Sequence, residues 1–419
     1  MRPDRNGRAC PDPGFRRHRH RRDRLDQGGL YRGAARRLDR HAWRYLPAGV
    51  VQAVHGTWCG DGGRIVAGLY GHLYLDEPCP DLAADRTVRS AWMIPERWLN
   101  LAVPAGILAV ALWALAADEP FTITLATRAV ILALAAVGLN IALGLGGLVS
   151  LGHAVFFGLG GYAMGVLALH AQTFTPLVLG PLTVEGTTSM PVIWLVAVVL
   201  SALAALGIGL LSLRTSGVYF IMITLAFGQM FFYFALSWRA YGGEDGISIY
   251  VRNGFPGLNT LDPIQFFVMC FAMLCLVLFL VDRLARSPFG LALGAARQVP
   301  IRVQTVGIDP MRLKLLAFVL SGAITGLAGA LFADLNRFVS PSMFSWQLSG
   351  ELIVFVILGG VGRLMGPVIG AVVFVTLEHL LGDFTEFWLI WLGVALLLIV
   401  LFARGGIVGL LTRQAGLHG

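Results

Sequence analysis

The sequence predicts an all-α protein that crosses a membrane about ten times, with some crossings short or broken at glycines. Apolar residues make up 56% of the 419-residue chain and charged residues only 13%, whereas soluble domains average about 25% charged residues. After Trp98 the sequence consists of apolar runs separated by short polar stretches, and many of its 52 glycines lie inside those runs. A chain this poor in charge cannot cover a water-facing surface of its size, so it needs lipid as its solvent.

Ten apolar runs are candidate membrane spans, because about 20 mostly apolar residues cross the roughly 30 Å hydrocarbon layer. The predicted spans are 98–116, 121–143, 150–170, 191–213, 216–237, 263–281, 314–333, 350–361, 366–382 and 387–403. The run 350–361 is short and glycine-rich, so we also consider that it forms a half-span paired with 366–382.

Arginine is distributed unevenly among the polar connections, and this distribution predicts the orientation of the chain. The connection 282–313 contains five arginines, the C-terminal tail contains Arg404 and Arg413, and the connection 171–190 contains neither Arg nor Lys. Positive residues collect in cytoplasmic loops. Ten spans with both chain ends in the cytoplasm place the connection 282–313 and the C-terminal tail in the cytoplasm and the connection 171–190 outside.

The basic charge of the protein belongs mainly to its first quarter. Residues 1–97 contain 18 Arg and 11 acidic residues, a net charge of +7, and the whole chain has a net charge of +8. We divide the chain into a basic extension over 1–92, which we expect to be disordered, a transmembrane domain over 93–410 and a short cytoplasmic tail over 411–419.

Three hypotheses for the N-terminal extension stay open. The first is an over-extended gene whose natural start is Met93, which directly precedes the first apolar run. The second is a basic tail that lies on anionic lipid. The third, nucleic-acid binding, ranks last because the aromatic residues do not alternate with the arginines, and we predict no nucleic-acid partner.

The sequence argues against ATP hydrolysis, catalysis and metal binding by this chain. Leu73–Pro78 resembles an acidic strand end of an ABC ATPase, but a phosphate loop ends in Gly-Lys-Ser/Thr, and Lys314, the single lysine, is flanked by leucines. Ser150 and His153 do not lie in a nucleophile elbow. The five cysteines form no CxxC pair. We therefore predict no catalytic residue, no cofactor and no metal site.

Glycines occur at two kinds of position within the spans. Pairs at small-xxx-small spacing predict close helix packing; they include Gly161/Gly165, Gly322/Gly326 and Gly366/Gly370. Two tighter clusters predict a broken backbone at membrane depth, which is tolerated only against protein or a water-filled cavity. The broken-helix candidates are Gly144 and Gly147 in the first cluster and Gly359, Gly360 and Gly362 in the second.

Six blocks of residues resemble the branched-chain amino acid ABC permeases of the LivH/LivM type, and in particular the LivM branch. The blocks are Leu139-Asn140 to Tyr162, Gly217 to Met230, Trp238 to Gly246, Ser287-Pro288-Phe289-Gly290 to Ile308, Leu316 to Ala330 and Ser349 to Pro367. Any one block alone is a weak match, whereas six in the same order are specific.

The resemblance implies an importer of branched-chain or related amino acids in the bacterial inner membrane. Its expected partners are a second, homologous permease chain, two cytoplasmic ABC ATPase subunits, an extracytoplasmic substrate-binding protein and membrane lipid. An ion-coupled secondary transporter is the alternative. Such transporters usually have carboxylates within their spans, whereas the acidic residues here fall at span ends or in loops. An intramembrane enzyme is a weaker rival.

The connection 287–312 is the predicted contact with the ATPase. Ser287 and Pro288 are typical of a helix start, and we expect a short helix that projects Arg297 and Arg302 into the cytoplasm. The resemblance favours this role over a solvated basic loop. Many family members have Arg-Glu-Asn where this chain has Arg297-Gln298-Val299. The candidate coupling residues are Ser287, Pro288, Phe289, Gly290, Arg297, Arg302 and Gly307.

Polar groups near span ends are candidates for the translocation path or its gate. Unpaired polar atoms are costly in hydrocarbon, so Ser150 and His153 either cap a helix, hydrogen-bond to a neighbouring helix or face the path. The path candidates, all within the matching blocks, are Asn140, Ser150, His153, Phe156, Thr224 and Gln229. We expect Arg128 to be structural, because it can extend its charge to the span end. We expect Ser349 to cap a helix that has Glu351 in its first turn.

Overall fold

The computed structural model describes most of the chain after the basic extension. The described residues are 96–179, 182–184, 186–384, 387–402 and 405–411. The predicted N-terminal extension over 1–92, and all but the first residue of the predicted tail over 411–419, lie outside them.

Helices in the described chain follow all ten predicted spans in order. The helices are α1 Glu96–Ala116, α2 Pro120–Asn140, α3 His153–Thr173, α4 Met190–Ser212, α5 Val218–Ser237, α6 Pro263–Ala285, α7 Pro288–Gln298, α8 Pro300–Thr305, α9 Pro310–Asn336, α10 Trp346–Gly359, α11 Gly366–Phe384, α12 Trp388–Phe402 and α13 Gly406–Leu411. Seven helices of the described chain are long and apolar enough to cross a membrane, and α10 is a shorter apolar helix. The predicted all-α polytopic fold is confirmed.

Four very short strands lie in the connections. They are β1 Leu177–Leu179, β2 Leu182–Val184, β3 Ile247–Ser248 and β4 Phe338–Val339. β1 pairs with β2, and β3 pairs with β4, both antiparallel. The Met190 N–H also donates to the Gly254 carbonyl at 3.0 Å. The connections 171–190 and 239–262 therefore lie at one end of the bundle, while α7 and α8 follow the opposite end of α6.

Side-chain caps begin several helices where the sequence changes from polar to apolar. Asp262 accepts a hydrogen bond from the Ile264 N–H at the start of α6, and Ser287 accepts one from the Gly290 N–H at the start of α7. The first turn of each helix contains a proline, whose missing N–H costs nothing there. The short helix expected from Ser287 is present.

The predicted cap at Ser349 is wrong. α10 begins at Trp346 and is capped by Ser345, so Glu351 lies in its second turn. The Ser349 hydroxyl instead accepts a hydrogen bond from the Ala154 N–H at 2.9 Å. It satisfies one of the free N–H groups at the start of α3, a partner that spacing along the chain does not reveal.

The core of the bundle is built around α9, which packs against α2, α3 and α4 and touches α3 through glycine. A Cβ on Gly160 of α3 would overlap the carbonyl oxygen of Gly326 of α9. Gly370 of α11 lies in the same way against the Phe355 carbonyl of α10. The close packing predicted from small-residue spacing is present at these contacts, because only a glycine lets the backbones approach so closely.

The chain re-enters the bundle between α9 and α10. A 3-10 turn, Pro341–Phe344, brings Phe344 against Gly158 of α3 and stacks its ring on Phe231 of α5, with centroids 6.3 Å apart. α10 then starts inside the bundle with 14 residues, which extend about 21 Å and cannot cross roughly 30 Å of hydrocarbon. α10 packs against α11, as expected for a half-span.

Candidate functional site

Two broken segments of backbone meet at the end of the bundle that holds α7. The α-helix of α2 ends at Asn140 and continues as a π-helical turn, Ile141–Leu145. Regular structure then stops until α3, with Gly147 at φ 69°. In the second segment α10 ends at Gly359, and Gly360 and Gly362 have φ of 122° and 80°. Residues with side chains rarely adopt such angles.

Asn140 joins the two broken segments. Its Oδ1 accepts a hydrogen bond from the Gly362 N–H at 3.0 Å, and its Nδ2 donates to the Arg363 carbonyl at 3.0 Å. The residue is 5% exposed. A Cβ on Gly144 would lie 2.8 Å from the Cα of Gly362, so the segments are in direct backbone contact as well.

Arg297 connects α7 to the same junction. Its Nη1 donates a hydrogen bond to the Gly144 carbonyl of the π turn, and its aliphatic stem covers Gly147, where a Cβ would lie 2.9 Å from the Arg297 Cγ. We expected Arg297 to project into the cytoplasm, but its guanidinium folds back onto the broken backbone. The reason is that carbonyls at the end of a helix need donors from outside it. Arg302 is exposed.

Most of the predicted path residues are buried inside this one chain. Ser150, His153, Phe156 and Thr224 are all 0% exposed, and Gln229 is partly exposed. His153 starts α3, and its Nε2 lies 2.7 Å from the Ser321 Oγ of α9. The rings of Phe156 and Phe318 enclose the imidazole edge-on. In the described chain these side chains pack helix against helix and do not line an open channel.

We predict that Ser321→Ala destabilises the protein by about 1–3 kcal/mol, because it removes the hydroxyl that pairs with a fully buried His153. The Nδ1 of His153 already has no partner in the described chain, so the variant leaves both ring nitrogens unpaired. Thermal unfolding in detergent measures the effect. The buried Ser212, whose Oγ has no partner in the described chain, gives the matched control: Ser212→Ala should change stability much less. Equal losses would contradict the prediction.

A buried polar cluster at the other end of the bundle was missed by the sequence analysis. The backbone N–H and side-chain Nδ2 of Asn253 donate to Asp334 Oδ1, each at 3.3 Å. Arg252 donates to the carbonyls of Asp334 and Leu335, near the end of α9. Burial lowers the pKa of the Arg252 guanidinium, and the charge of Asp334 opposes that shift. This cluster ties the connection 239–262 to α9, and loop residues of this kind carry no periodic signal.

An ion pair within the membrane bundle was also missed. Arg128 Nη2 of α2 lies 3.1 Å from Glu378 Oε1 of α11. From the sequence we expected Arg128 to be a structural residue that can reach the span end. The structure adds a partner that the sequence did not indicate, an acidic residue 250 positions away.

The fold and the junction define a class: a multi-pass membrane permease with broken helices that meet a short helical connection. The model of the family described as "Branched-chain amino acid transport system / permease component" matches residues 121–404. This chain belongs to that family. The prediction of its family and of its class, a permease subunit of an ABC importer, is confirmed. The family is a transport family and not an enzyme family, so the prediction that the chain is not an enzyme is confirmed too.

Curated relatives carry names that agree with the family. The chain is 30% identical over 334 residues to the high-affinity branched-chain amino acid transport system permease protein LivM of Escherichia coli, covering 73% of this chain and 75% of the relative. It is 27% identical over 209 residues to the probable permease LivH of Methanocaldococcus jannaschii, covering 46% of this chain and 62% of the relative. No solved structure matches the chain.

Proposed function

We propose that this chain imports branched-chain or related amino acids across the bacterial inner membrane, with both of its ends in the cytoplasm. It works beside a second, homologous permease chain, two cytoplasmic ABC ATPase subunits and an extracytoplasmic binding protein. The names of the relatives support the substrate class. The five arginines of the 282–313 connection support the orientation, because positive loops are retained in the cytoplasm.

Exposed apolar side chains on α7, α8 and the turn after them support docking of an ATPase there. Leu291, Ile301 and Val306 are 68%, 72% and 77% exposed, although this connection lies beyond the spans and faces water. Clustered exposed apolar residues mark protein contacts. An ATPase surface that covers these three side chains would hold α7 and α8 as one unit.

The hydrogen bond from Arg297 to the Gly144 carbonyl carries the proposal. It links the docking surface on α7 to the π turn, and Asn140 links that turn onward to Gly362. A movement of α7 driven by the ATPase is therefore transmitted to both broken segments. Because π turns and glycines with positive φ are sites where a helix can change its backbone angles, this junction is the proposed moving part of the gate.

The translocation path is proposed to lie between this chain and the second permease. Ser150, His153 and Thr224 are buried within the chain, whereas Gln347 and Glu351 of α10 are exposed. Exposed polar groups at membrane depth are costly in lipid. They are expected to face a water-filled path or the partner permease.

Arg297→Ala is expected to reduce coupled transport about tenfold to a hundredfold, because a charge-assisted hydrogen bond contributes roughly 1.5–3 kcal/mol. Uptake of radiolabelled leucine and substrate-stimulated ATP hydrolysis in proteoliposomes measure the effect. Arg297→Lys should lose less, since an ammonium can still donate to a carbonyl.

Arg286→Ala is the control for charge at the same end of the bundle, because the Arg286 side chain bonds Asp282 on the surface and, among the described residues, has no hydrogen bond to the junction. It should retain nearly full transport. The coupling role would be refuted if Arg297→Ala kept wild-type uptake and substrate-stimulated ATP hydrolysis.

A further inference from the structure

Two adjoining cavities lie beside α2 and α11. The first has a volume of about 370 Å³ and is lined by Arg128, Glu378, His379 and Asp383 among others. The second has a volume of about 480 Å³ and is lined almost entirely by apolar side chains of α1, α2 and α11. Leu125 and Val375 line both cavities, so a single elongated molecule can occupy them together.

The charged cavity has unused hydrogen-bonding capacity for both signs of charge. In the described chain Arg128 uses one of its five N–H donors, the Nη2 that bonds Glu378 at 3.1 Å, and its buried Nε has no partner. Glu378 bonds Arg128 through Oε1 only, and Asp383 lies 3.7 Å from His379 at the outer edge. An anion beside Arg128 and an ammonium group beside Glu378 would complete both sets of bonds.

The apolar cavity extends deeper along the bundle than the charged one. On α11 it is lined by residues from Ile369 to Thr376, whereas the charged cavity is lined by residues from Val375 to Asp383, near the helix end. A cavity of about 480 Å³ would remain mostly empty if it held the side chain of one amino acid. An acyl chain has the length and the chemistry to fill it.

We propose that these cavities bind one phospholipid whose headgroup has a primary ammonium, the phosphatidylethanolamine class. Its phosphate is held by Arg128, its ammonium lies between Glu378 and Asp383, and one acyl chain fills the apolar cavity. The site lies in the leaflet on the side of the membrane away from α7. Polar groups of the protein that would otherwise be costly at this depth are then satisfied by the headgroup. The inference does not rest on the transported substrate.

Native mass spectrometry tests the site. The full chain, with any subunits that co-purify, is delipidated and titrated with phosphatidylethanolamine, phosphatidylcholine or phosphatidylglycerol. We expect one tightly retained phosphatidylethanolamine. Arg128→Gln should weaken its binding roughly tenfold, the effect of losing a charge-assisted bond. Glu378→Gln should abolish the preference over phosphatidylcholine, whose quaternary ammonium has no N–H to donate.

Gly106→Leu tests the acyl-chain part without touching a charge. A Cβ at Gly106, which lines the apolar cavity, meets nothing within 4 Å, so leucine fits the fold and fills the cavity. It should reduce retention of the lipid, whereas Gly207→Leu, at an equally open position on α4, should not. Equal retention in Gly106→Leu and wild type would overturn the proposal, as would equal binding of all three lipids. Displacement of the lipid by free leucine would overturn it in favour of a substrate site.

Discussion

Gly359→Ala is expected to destabilise the protein by about 3 kcal/mol and to abolish transport, because the added Cβ would overlap the backbone of the neighbouring helix. The Cβ would lie 1.6 Å from the carbonyl oxygen of Gly366 at the start of α11. Backbone cannot move aside as a flexible side chain does, so overpacking here falls at the costly end of its usual range. The midpoint of thermal unfolding in detergent and leucine uptake in proteoliposomes measure the two effects.

Gly350→Ala is the matched control on the same helix. A Cβ at Gly350 meets nothing within 4 Å, so alanine there is expected to stabilise α10 by up to about 1 kcal/mol through its higher helix propensity. The two substitutions are chemically identical and should shift stability in opposite directions. If both variants unfolded at the wild-type temperature, the close contact between α10 and α11 would be disproved.

Asn140→Leu is expected to separate ATP hydrolysis from transport. The substitution keeps the size of the side chain but removes the hydrogen bonds that Asn140 makes with the Gly362 N–H and the Arg363 carbonyl. The two hydrogen bonds are half-buried and each contributes about 0.5–1.5 kcal/mol, so without them the two broken segments should no longer move together. We expect uptake to fall at least about tenfold while the complex still assembles and hydrolyses ATP.

Asn140→Asp tests the two hydrogen bonds of Asn140 separately, because it can keep the bond to Gly362 and must lose the bond to Arg363. Aspartate still accepts from the Gly362 N–H but presents an oxygen to the Arg363 carbonyl in place of a donor, so it should be nearly as damaging as leucine. The exposed Asn336 at the end of α9 provides the control, since Asn336→Leu removes an amide far from the junction. Normal uptake by Asn140→Leu would show that Asn140 does not join the segments functionally.

Hydropathy predicted the membrane helices well because each helix depends on an apolar run of neighbouring residues in the sequence. Each span needs its own apolar run, and several helix starts have their own cap and proline, as at Ser287 and Pro288. The family was also readable from the sequence, since its motifs are continuous blocks of residues. The prediction that Ser349 caps α10 was wrong because two serines, Ser345 and Ser349, lie near the start of that helix. The spacing between serine and glutamate favoured Ser349.

The candidate site was predicted only as a set of residue types. Glycine clusters marked both broken segments, but nothing in the sequence indicated that Gly144 and Gly362 touch. Arg297 was singled out for its charge and was assigned the wrong direction. His153 and Thr224 were proposed for the path, yet they are buried between helices of one chain. Arg128 and Glu378 were not paired at all.

The sequence by itself determined the order of the apolar helices, the positions where they break and the class of transporter. The tertiary structure alone decided which polar groups pair. Asn140 meets Gly362 across 222 positions, His153 meets Ser321 across 168, and Arg297 meets Gly144 across 153. Burial in lipid depends on short runs of residues, whereas these bonds depend on how whole helices pack, which no local pattern encodes.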